Sequence, residues 1–316
     1  MDKILDIHII YCDKDKEYLA ALLAQCKNFR IENSLSNWKI FVYAHDNSGE
    51  NNIGQFQRRL EIIRNTPESH YVWFIDGDDE IIGNADLVEG DFDDVDIIGF
   101  AHQMNVFSEI DGYNIFIETR SYEENIVIDT QKYKTLKRGE SVISIMDLAG
   151  GSLWTKWIKA SCWNGVFDYL KKLGYENIKP NASEDVFFAM YAVKNSHNLL
   201  YCVKPVYYYH NERSHIFNDE KFIPYENFER FRVNHKEITD AIKKLDMGKS
   251  TSDFIMADYL CHLQKALSCL DIKKAIDNLI EEFGKENVIR AIILGRFYIR
   301  HPYVKYLAYK YLQNSN

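Results

Sequence analysis

The segment Tyr71-Val72-Trp73-Phe74-Ile75-Asp76-Gly77-Asp78-Asp79-Glu80 decides how this chain is read. Its first five residues are bulky, apolar or aromatic, and do not alternate with polar ones. They read as a buried central strand rather than a surface one. The run ends abruptly in carboxylates. Gly77 lets the backbone turn or come close to a ligand. In an extended segment Asp76 and Asp78, two positions apart, would project to the same side. Two oxygen ligands at a strand's carboxyl end suit a hard divalent cation, which completes its shell with water and substrate phosphates. Ligands of open α/β sheets bind at that same edge. The plainer alternative is a solvated acidic turn after a core strand. An EF-hand loop fits worse, because Ile81 stands where its sixth-position glycine is required.

Around this segment, strand and helix alternate. Residues 4–11 (ILDIHIIY) read as an opening strand, 17–26 (EYLAALLAQC) as a helix, and 38–44 (WKIFVYA) as a second strand. His45-Asp46-Asn47-Ser48-Gly49 is polar turn chemistry. Helical character over 53–65 stops at Thr66-Pro67, because a residue before proline avoids the α region. After the quoted strand, residues 95–100 (VDIIGF) predict a fourth. The alternation argues for a parallel sheet with covering helices. Beyond residue 100 the pattern loosens. Short β-like pieces (YNIFIET, NIVID) fall within 103–135, and 141–170 reads as helical around Gly150-Gly151-Ser152-Leu153-Trp154. A further helix begins at Asn181 and runs to about 193, and 199–209 (LLYCVKPVYYY) returns to strand. From about 220 onward only helices are expected, which places a boundary there.

Composition narrows the class. The 316 residues are 46% hydrophobic and 14% aromatic, enough for one large domain or a domain with an appendage. Disordered and collagen-like chains are excluded. A formal net charge of −9 argues against a nucleic-acid binder, which needs a basic face. The six cysteines, at 12, 26, 162, 202, 261 and 269, form no CxxC pair and no zinc spacing. Together with a start at Met1-Asp2-Lys3-Ile4 that lacks signal-peptide character, they read as reduced thiols of a cytoplasmic protein. No apolar run reaches the ~18–20 residues needed to cross a bilayer.

A second acidic group opens a helix at Asn181-Ala182-Ser183-Glu184-Asp185-Val186-Phe187. Asn181 and Glu184 fit a capping box, and acids in the first turn complement the helix dipole. The strongly apolar residues that follow set Glu184 and Asp185 at the rim of a core. Chemistry at a metal–diphosphate site also needs a separate base to deprotonate an acceptor hydroxyl. Paired carboxylates take different roles where their environments differ.

Taken in order, these segments resemble a family 2 glycosyltransferase of the GT-A fold, through most of residues 1–215. Residues 7–11 resemble the family's first strand, and His45-Asp46-Asn47-Ser48 its "DDGS" turn. Arg58-Arg59 falls near its Arg-Asn element, and Phe74-Ile75-Asp76-Gly77-Asp78-Asp79 resembles "FLDSDD". Leu153-Trp154-Thr155-Lys156 resembles the segment before the acceptor loop, and Ser183-Glu184-Asp185-Val186-Phe187 resembles "GEDxxF". Val206-Tyr207-Tyr208-Tyr209-His210, followed by Arg213-Ser214, resembles the "YYYR…S" close. Each motif is weak alone, but their occurrence together in the family's order is specific.

The resemblance implies an α/β, Rossmann-like fold with a mixed, mostly parallel sheet flanked by helices. Residues 1–219 would form the catalytic domain, with a nucleotide-sugar half of about 1–100 and an acceptor half of about 101–219. Residues 220–316 would be a helical C-terminal region. It further implies inverting transfer of a hexosyl or N-acetylhexosaminyl group from a nucleotide-diphospho sugar, UDP-linked by preference. The acceptor would be a hydroxyl of a surface polysaccharide, lipooligosaccharide or lipid-linked glycan. Tyr11, Asp46, Ser48, Arg58, Arg59, Asp76 and Arg213 would bind the donor. Asp76 and Asp78, with His210, would hold Mn²⁺ or Mg²⁺, the Lewis acid for the leaving group. Asp185 would be the general base, with Glu184 positioning base or acceptor. The transition state would carry oxocarbenium character.

This chain departs from the pattern in places. His45 and Asn47 replace an Asp and the Gly of "DDGS", the first strand ends Tyr11-Cys12-Asp13, and His210 replaces an Arg. The first two changes put base identity in question. From residue 287 to 316 there is no Asp or Glu, while Arg290, Arg296, Arg300, Lys305 and Lys310 interleave with apolar and aromatic residues. Such a segment suits either peripheral contact with the inner face of an anionic membrane or a helix packed on the catalytic domain. Two other functions share parts of this pattern. A sugar-nucleotide nucleotidyltransferase would need an N-terminal Gly-rich phosphate loop, which is missing. A non-catalytic glycan- or nucleotide-binding module would not need both Asp78 and Asp185.

Overall fold

A computed structural model describes residues 2–34, 36–87, 95–108, 113–119, 122–131, 152–180, 183–210, 223–247, 251, 262–263 and 265–294. In chain order it contains β1 (Asp2–Tyr11), α1 (Lys16–Asn28), β2 (Ile31–Glu32), β3 (Asn37–Asp46), α2 (Gln55–Asn65), β4 (Tyr71–Asp76) and β5 (Glu80–Ile81). There follow β6 (Ala85–Asp86), β7 (Ile97–Ser108), β8 (Tyr113–Thr119), β9 (Ile126–Asp129) and β10 (Lys156–Lys159). The rest is α3 (Val166–Leu173), α4 (Glu184–Asn195), β11 (Asn198–Tyr209), α5 (Tyr225–Leu245), α6 (Ile272–Phe283) and α7 (Lys285–Leu294).

The main sheet runs β3-β1-β4-β10-β7-β11-β5, with β8 beside β7 and β9 beside β11. β3, β1 and β4 are parallel, and β7 is parallel to β11. β10 is antiparallel to both β4 and β7, so the five long strands share one direction and one carboxyl edge. The alternation predicts a parallel sheet with covering helices; the antiparallel β10 makes it the mixed, mostly parallel sheet that the resemblance implies.

β4 explains why the sheet has two covered faces. Its period-2 pleat sends Val72 and Phe74 into one core, with Phe56, Leu60 and Ile63 of α2 and Phe187 and Phe188 of α4. Tyr71, Trp73 and Ile75 enter the other, with Leu22 and Cys26 of α1. Each such side chain contributes about 1.5–3 kcal/mol on burial. Trp73 is fully buried and packs on Phe29, Trp157 and Tyr207. Its replacement by Ala would cost about 3–5 kcal/mol.

The structure corrects the sequence reading at three places. Residues 156–159 form a strand, not helix, because Lys156, Trp157 and Ile158 are buried between β4 and β7 and pair with both. Gly150 and Gly151 lie outside the described residues. α4 starts at Glu184, with Ser183 as its N-cap at φ 62° and no side-chain cap bond. Glu184 turns to a guanidinium instead of the backbone, and Asn181, the other half of the expected capping box, lies outside the described residues. Finally, the chain turns at once after Asp76, with the Asp79 N–H donating to the Asp76 carbonyl at 3.3 Å. The same-side argument for Asp76 and Asp78 therefore loses its extended backbone.

The C-terminal helices build a third core around Phe228, Leu263, Ala275, Ile276, Leu279, Ile289 and Ile292. α5 ties it to the rest: its last turns place Ile238, Ala241, Ile242 and Leu245 in the main core. Tyr169 and Lys194 donate to the carbonyls of Ala241 and Leu245, both at 2.6 Å. Within 287–294, Ile289 and Ile292 thus pack inward, while residues 295–316 lie outside the described residues. Among the described residues no helix is long and apolar enough to cross a membrane.

Candidate active site

The strand register assembles the site. Tyr11 pairs with Asp46 across β1 and β3, and Ile10 pairs with Asp76 across β1 and β4. Tyr11, Asp46 and Asp76 therefore stand side by side on the carboxyl edge. The loops are fixed by backbone bonds: Asn47 N–H to the Tyr11 carbonyl at 2.8 Å, and Gly77 N–H to the Ile10 carbonyl at 3.0 Å. Gly77 is needed here for space. A Cβ on it would lie 2.5 Å from the Tyr11 Cβ, 3.0 Å from its Cα and 3.1 Å from the Asp15 Cβ.

The turn after β3 shows what the sequence departures do. His45 does not face outward as an acid would, since its Nε2 lies 2.9 Å from His8 Nδ1 and the rings stack at 5.1 Å. Burial, and then the neighbouring Arg58, hold His45 below the usual histidine range. Burial and His45 push His8 down to about 3. The pair is neutral. Asn47 Oδ1 accepts from the Ile53 N–H at 3.2 Å, which closes the loop. Asp46 Oδ1 accepts from the Ser48 N–H at 2.9 Å, and the Ser48 Oγ is buried without a partner among the described residues.

The two arginines differ. Arg58 holds the loop, donating to the carbonyls of Asp46 (3.2 Å) and Asn51 (3.0 Å) and pairing with Glu61 at 2.6 Å. Arg59 is buried and bridges the two acidic groups: Nη1 to Glu184 Oε1 at 3.0 Å, Nη2 to Asp76 Oδ1 at 3.5 Å. Burial opposes its charge, but Glu184, Asp76 and Asp185 more than offset this, so it stays protonated.

Around this bridge several carboxylates face little positive charge. Burial raises Asp76, Arg59 pulls it back, and Glu184 and Asp15 push it up. Asp79 is held well above the carboxylate range, first by burial and then by Asp76 and Asp78. Its oxygens accept from Tyr207 OH at 2.6 Å and from the His210 N–H at 2.8 Å, which fastens β4 to the end of β11. Asp185 is pushed up to about 7 by burial and by Glu184, against the pull of Arg59. Its Oδ1 accepts from the Val186 N–H at 2.8 Å.

Sequence reasoning missed several residues here. Lys156 sits at the amino end of β10, which the antiparallel direction brings to the same edge. Its ammonium donates to the Ser152 carbonyl and to Thr155 Oγ1. Burial brings it down to about 7, with Asp185 pulling it back up. Trp154 stacks on Tyr207 (4.9 Å, 14°) and Tyr209 (5.2 Å, 1°), with His102 edge-on at 4.8 Å. Tyr207 and Tyr209 are two apart on one strand, a spacing that was legible, but their partner was not.

His210 is buried, and its Nε2 lies 2.7 Å from Glu80 Oε1. To ligate a cation through Nε2 it would have to give up that contact. Arg213 lies outside the described residues. Among the described residues no three His, Cys, Asp or Glu side chains converge as a metal cage. Asp76 and Asp78 fit Mg²⁺ or Mn²⁺ in a different manner. They are hard oxygen donors at a partly open edge with excess negative charge, suited to an ion that takes its other ligands from water and phosphate.

No protein-family model matches the chain, and neither does any curated protein sequence. Among solved structures it is similar to Staphylococcus aureus TarS residues 1–349 in complex with UDP. The identity is 14%, covering 94% of this chain and 93% of that one, with a TM-score of 0.48. The UDP-GlcNAc complex of the same protein is similar at 14% identity, 92% and 85% coverage and a TM-score of 0.46. The structure of TarS 1–349 without a named ligand is similar at 16% identity, 94% and 93% coverage and a TM-score of 0.42.

Proposed function

We propose that the protein is an inverting glycosyltransferase that moves a sugar from a nucleotide-diphospho sugar, UDP-linked by preference, to a glycan hydroxyl. One observation carries this reading: Arg59 touches both Asp76 and Glu184, so the acidic groups that end β4 and open α4 share one site. The order of motifs along the chain gives the assignment of roles.

The nucleotide lies along the edge formed by Tyr11, Asp46 and the Ser48 loop, and its diphosphate reaches Asp76 and Asp78. These two carboxylates would hold a divalent cation, which would supply Lewis-acid stabilisation of the leaving diphosphate. Asp185 accepts the proton of the acceptor hydroxyl as that oxygen bonds to the anomeric carbon. The bond from that carbon to the diphosphate oxygen breaks on the opposite face, which inverts the centre. A base near 7 suits this step, since about half of it is ionised at neutral pH and it is basic enough to take the proton. Glu184, anchored by Arg59, orients the base.

Release of UDP from a panel of UDP-sugars, with and without Mn²⁺, tests the reading. At least one donor should give turnover that chelation removes. No release from any nucleotide sugar, with tight binding of a free sugar or glycan instead, would favour a binding module.

A further inference from the structure

Arg59 occupies an unusual position for a charged side chain. It is 3% exposed, rises from a helix whose Phe56 and Leu60 are locked in the core, and lies 5.9 Å over the face of Phe74. Its two terminal nitrogens address carboxylates from different halves of the chain: Asp76 at the end of β4 and Glu184 at the start of α4. The contacts are unequal. Glu184 is at hydrogen-bond distance, whereas Asp76 at 3.5 Å is held by charge more than by geometry. The Nε has no partner among the described residues. A planar fork can serve two carboxylates at once, which a lysine cannot.

We propose that Arg59 is a positioning residue, one guanidinium shared between Asp76 and Glu184, which couples the donor-side carboxylates to the acceptor-side ones. A change of charge on either side is then felt on the other. The consequence for sugar transfer rests on the glycosyltransferase reading, whereas the coupling rests on geometry alone. Removing the shared cation leaves two partly buried carboxylates, Asp76 28% and Glu184 12% exposed at the side chain, without their common partner. Replacing Arg59, Asp76 and Glu184 together with neutral residues removes their mutual repulsion, and such replacements cost far less than removal of one partner.

Two measurements test this. In urea unfolding, Arg59→Met alone should raise the unfolding constant at least roughly a hundredfold, as loss of one partner of a buried pair does. In the Asp76→Asn/Glu184→Gln background the same change should cost less than about tenfold. Equal costs in both backgrounds would overturn the coupling. If Arg59→Met does not fold, Arg59→Lys replaces it. The interaction between Asp76→Asn and Glu184→Gln must then be smaller in the lysine protein than in wild type, and equal interaction overturns the proposal.

The second readout is UDP affinity with and without Mn²⁺, by calorimetry, which a merely structural arginine would not redistribute. Glu184→Gln frees Arg59 to act wholly on Asp76, so the enhancement of UDP binding by Mn²⁺ should fall by roughly fivefold or more. In the Arg59→Met or Arg59→Lys protein the same substitution should change it little. An undiminished effect without Arg59 overturns coupling through that residue. Failure of wild type to bind UDP at all would instead sink the glycosyltransferase reading, and the unfolding cycle would still decide the role of Arg59.

Discussion

The two acidic groups, which the proposed function assigns to a donor half and an acceptor half, are built by different means. On the donor side, β3, β1 and β4 lie next to one another with no shift of register, and Asp46, Tyr11 and Asp76 reach the edge because each ends its strand. On the acceptor side, β10 has four residues and is wedged between strands formed much earlier in the chain. Asp185 sits on a helix whose first residues make no cap, and its neighbour Glu184 depends on Arg59 of α2. One half is positioned by local succession of strand and helix, the other by contacts between distant parts. The donor half should therefore tolerate change at single side chains better in fold than in function. The acceptor half should lose both together where the contact between Arg59 and Glu184 is broken.

The largest expected effect falls on the donor half. Asp78→Ala should abolish transfer and the Mn²⁺-dependent part of UDP binding, while circular dichroism and the unfolding midpoint stay close to wild type. Wild-type turnover by this variant in the presence of metal would remove Asp78 from the site.

The acceptor half gives the next effect. Asp185→Asn should lower kcat by about 10²–10⁴-fold with UDP affinity little changed. Because burial and Glu184 raise Asp185 to about 7, the wild-type rate should fall tenfold per pH unit below that value, as the base becomes protonated. The asparagine protein should show a flat profile there. The same shift has a consequence for stability. A carboxyl bound more tightly to its proton in the folded state supports folding fully below about pH 4 and loses that contribution as pH rises through about 7. Asp185→Asn should thus raise the unfolding free energy at pH 8 relative to pH 4. A loss of UDP binding with unchanged kcat would make Asp185 a donor ligand instead.

A smaller effect probes the seam between β1 and β4. Gly77→Ala forces a methyl group to 2.5 Å from the Tyr11 Cβ, so backbone must shift. It should destabilise by about 1–3 kcal/mol in urea unfolding and weaken UDP binding through displacement of Tyr11 against Asp76. Unchanged stability would mean that the two strand ends have more freedom than their packing indicates.

The same contrast explains what could be read from the residues alone. β1, α1, β3, α2 and β4 were legible because each has its own period or breaker, and the alternation dictates a parallel order. The carboxylates at the end of β4 were legible as a cluster at a strand terminus for the same reason. The strand at 156–159 was not, since its segment Lys156-Trp157-Ile158-Lys159 has no turn signals and takes strand form only by filling the gap between β4 and β7. Nor was the role of Arg59, which the motif order assigns to the donor. Its bridging of Asp76 and Glu184 depends on α2 and α4 packing through Phe56, Phe187 and Phe188. His45 was recognised as a departure, but its inward pairing needs His8, on the neighbouring strand. Asp79 was in view in the deciding segment, yet nothing local points to Tyr207 and His210 as its partners.

The central claim is that the two acidic groups form one nucleotide-sugar site. A crystal structure of the protein soaked with UDP and Mn²⁺ tests it most directly. The account predicts the nucleotide along Tyr11 and Asp46, with the diphosphate and a cation at Asp76 and Asp78 and the terminal phosphate facing Asp185. A nucleotide bound away from the carboxyl edge of β1, β3 and β4, or a cation held without Asp76 and Asp78, would contradict it.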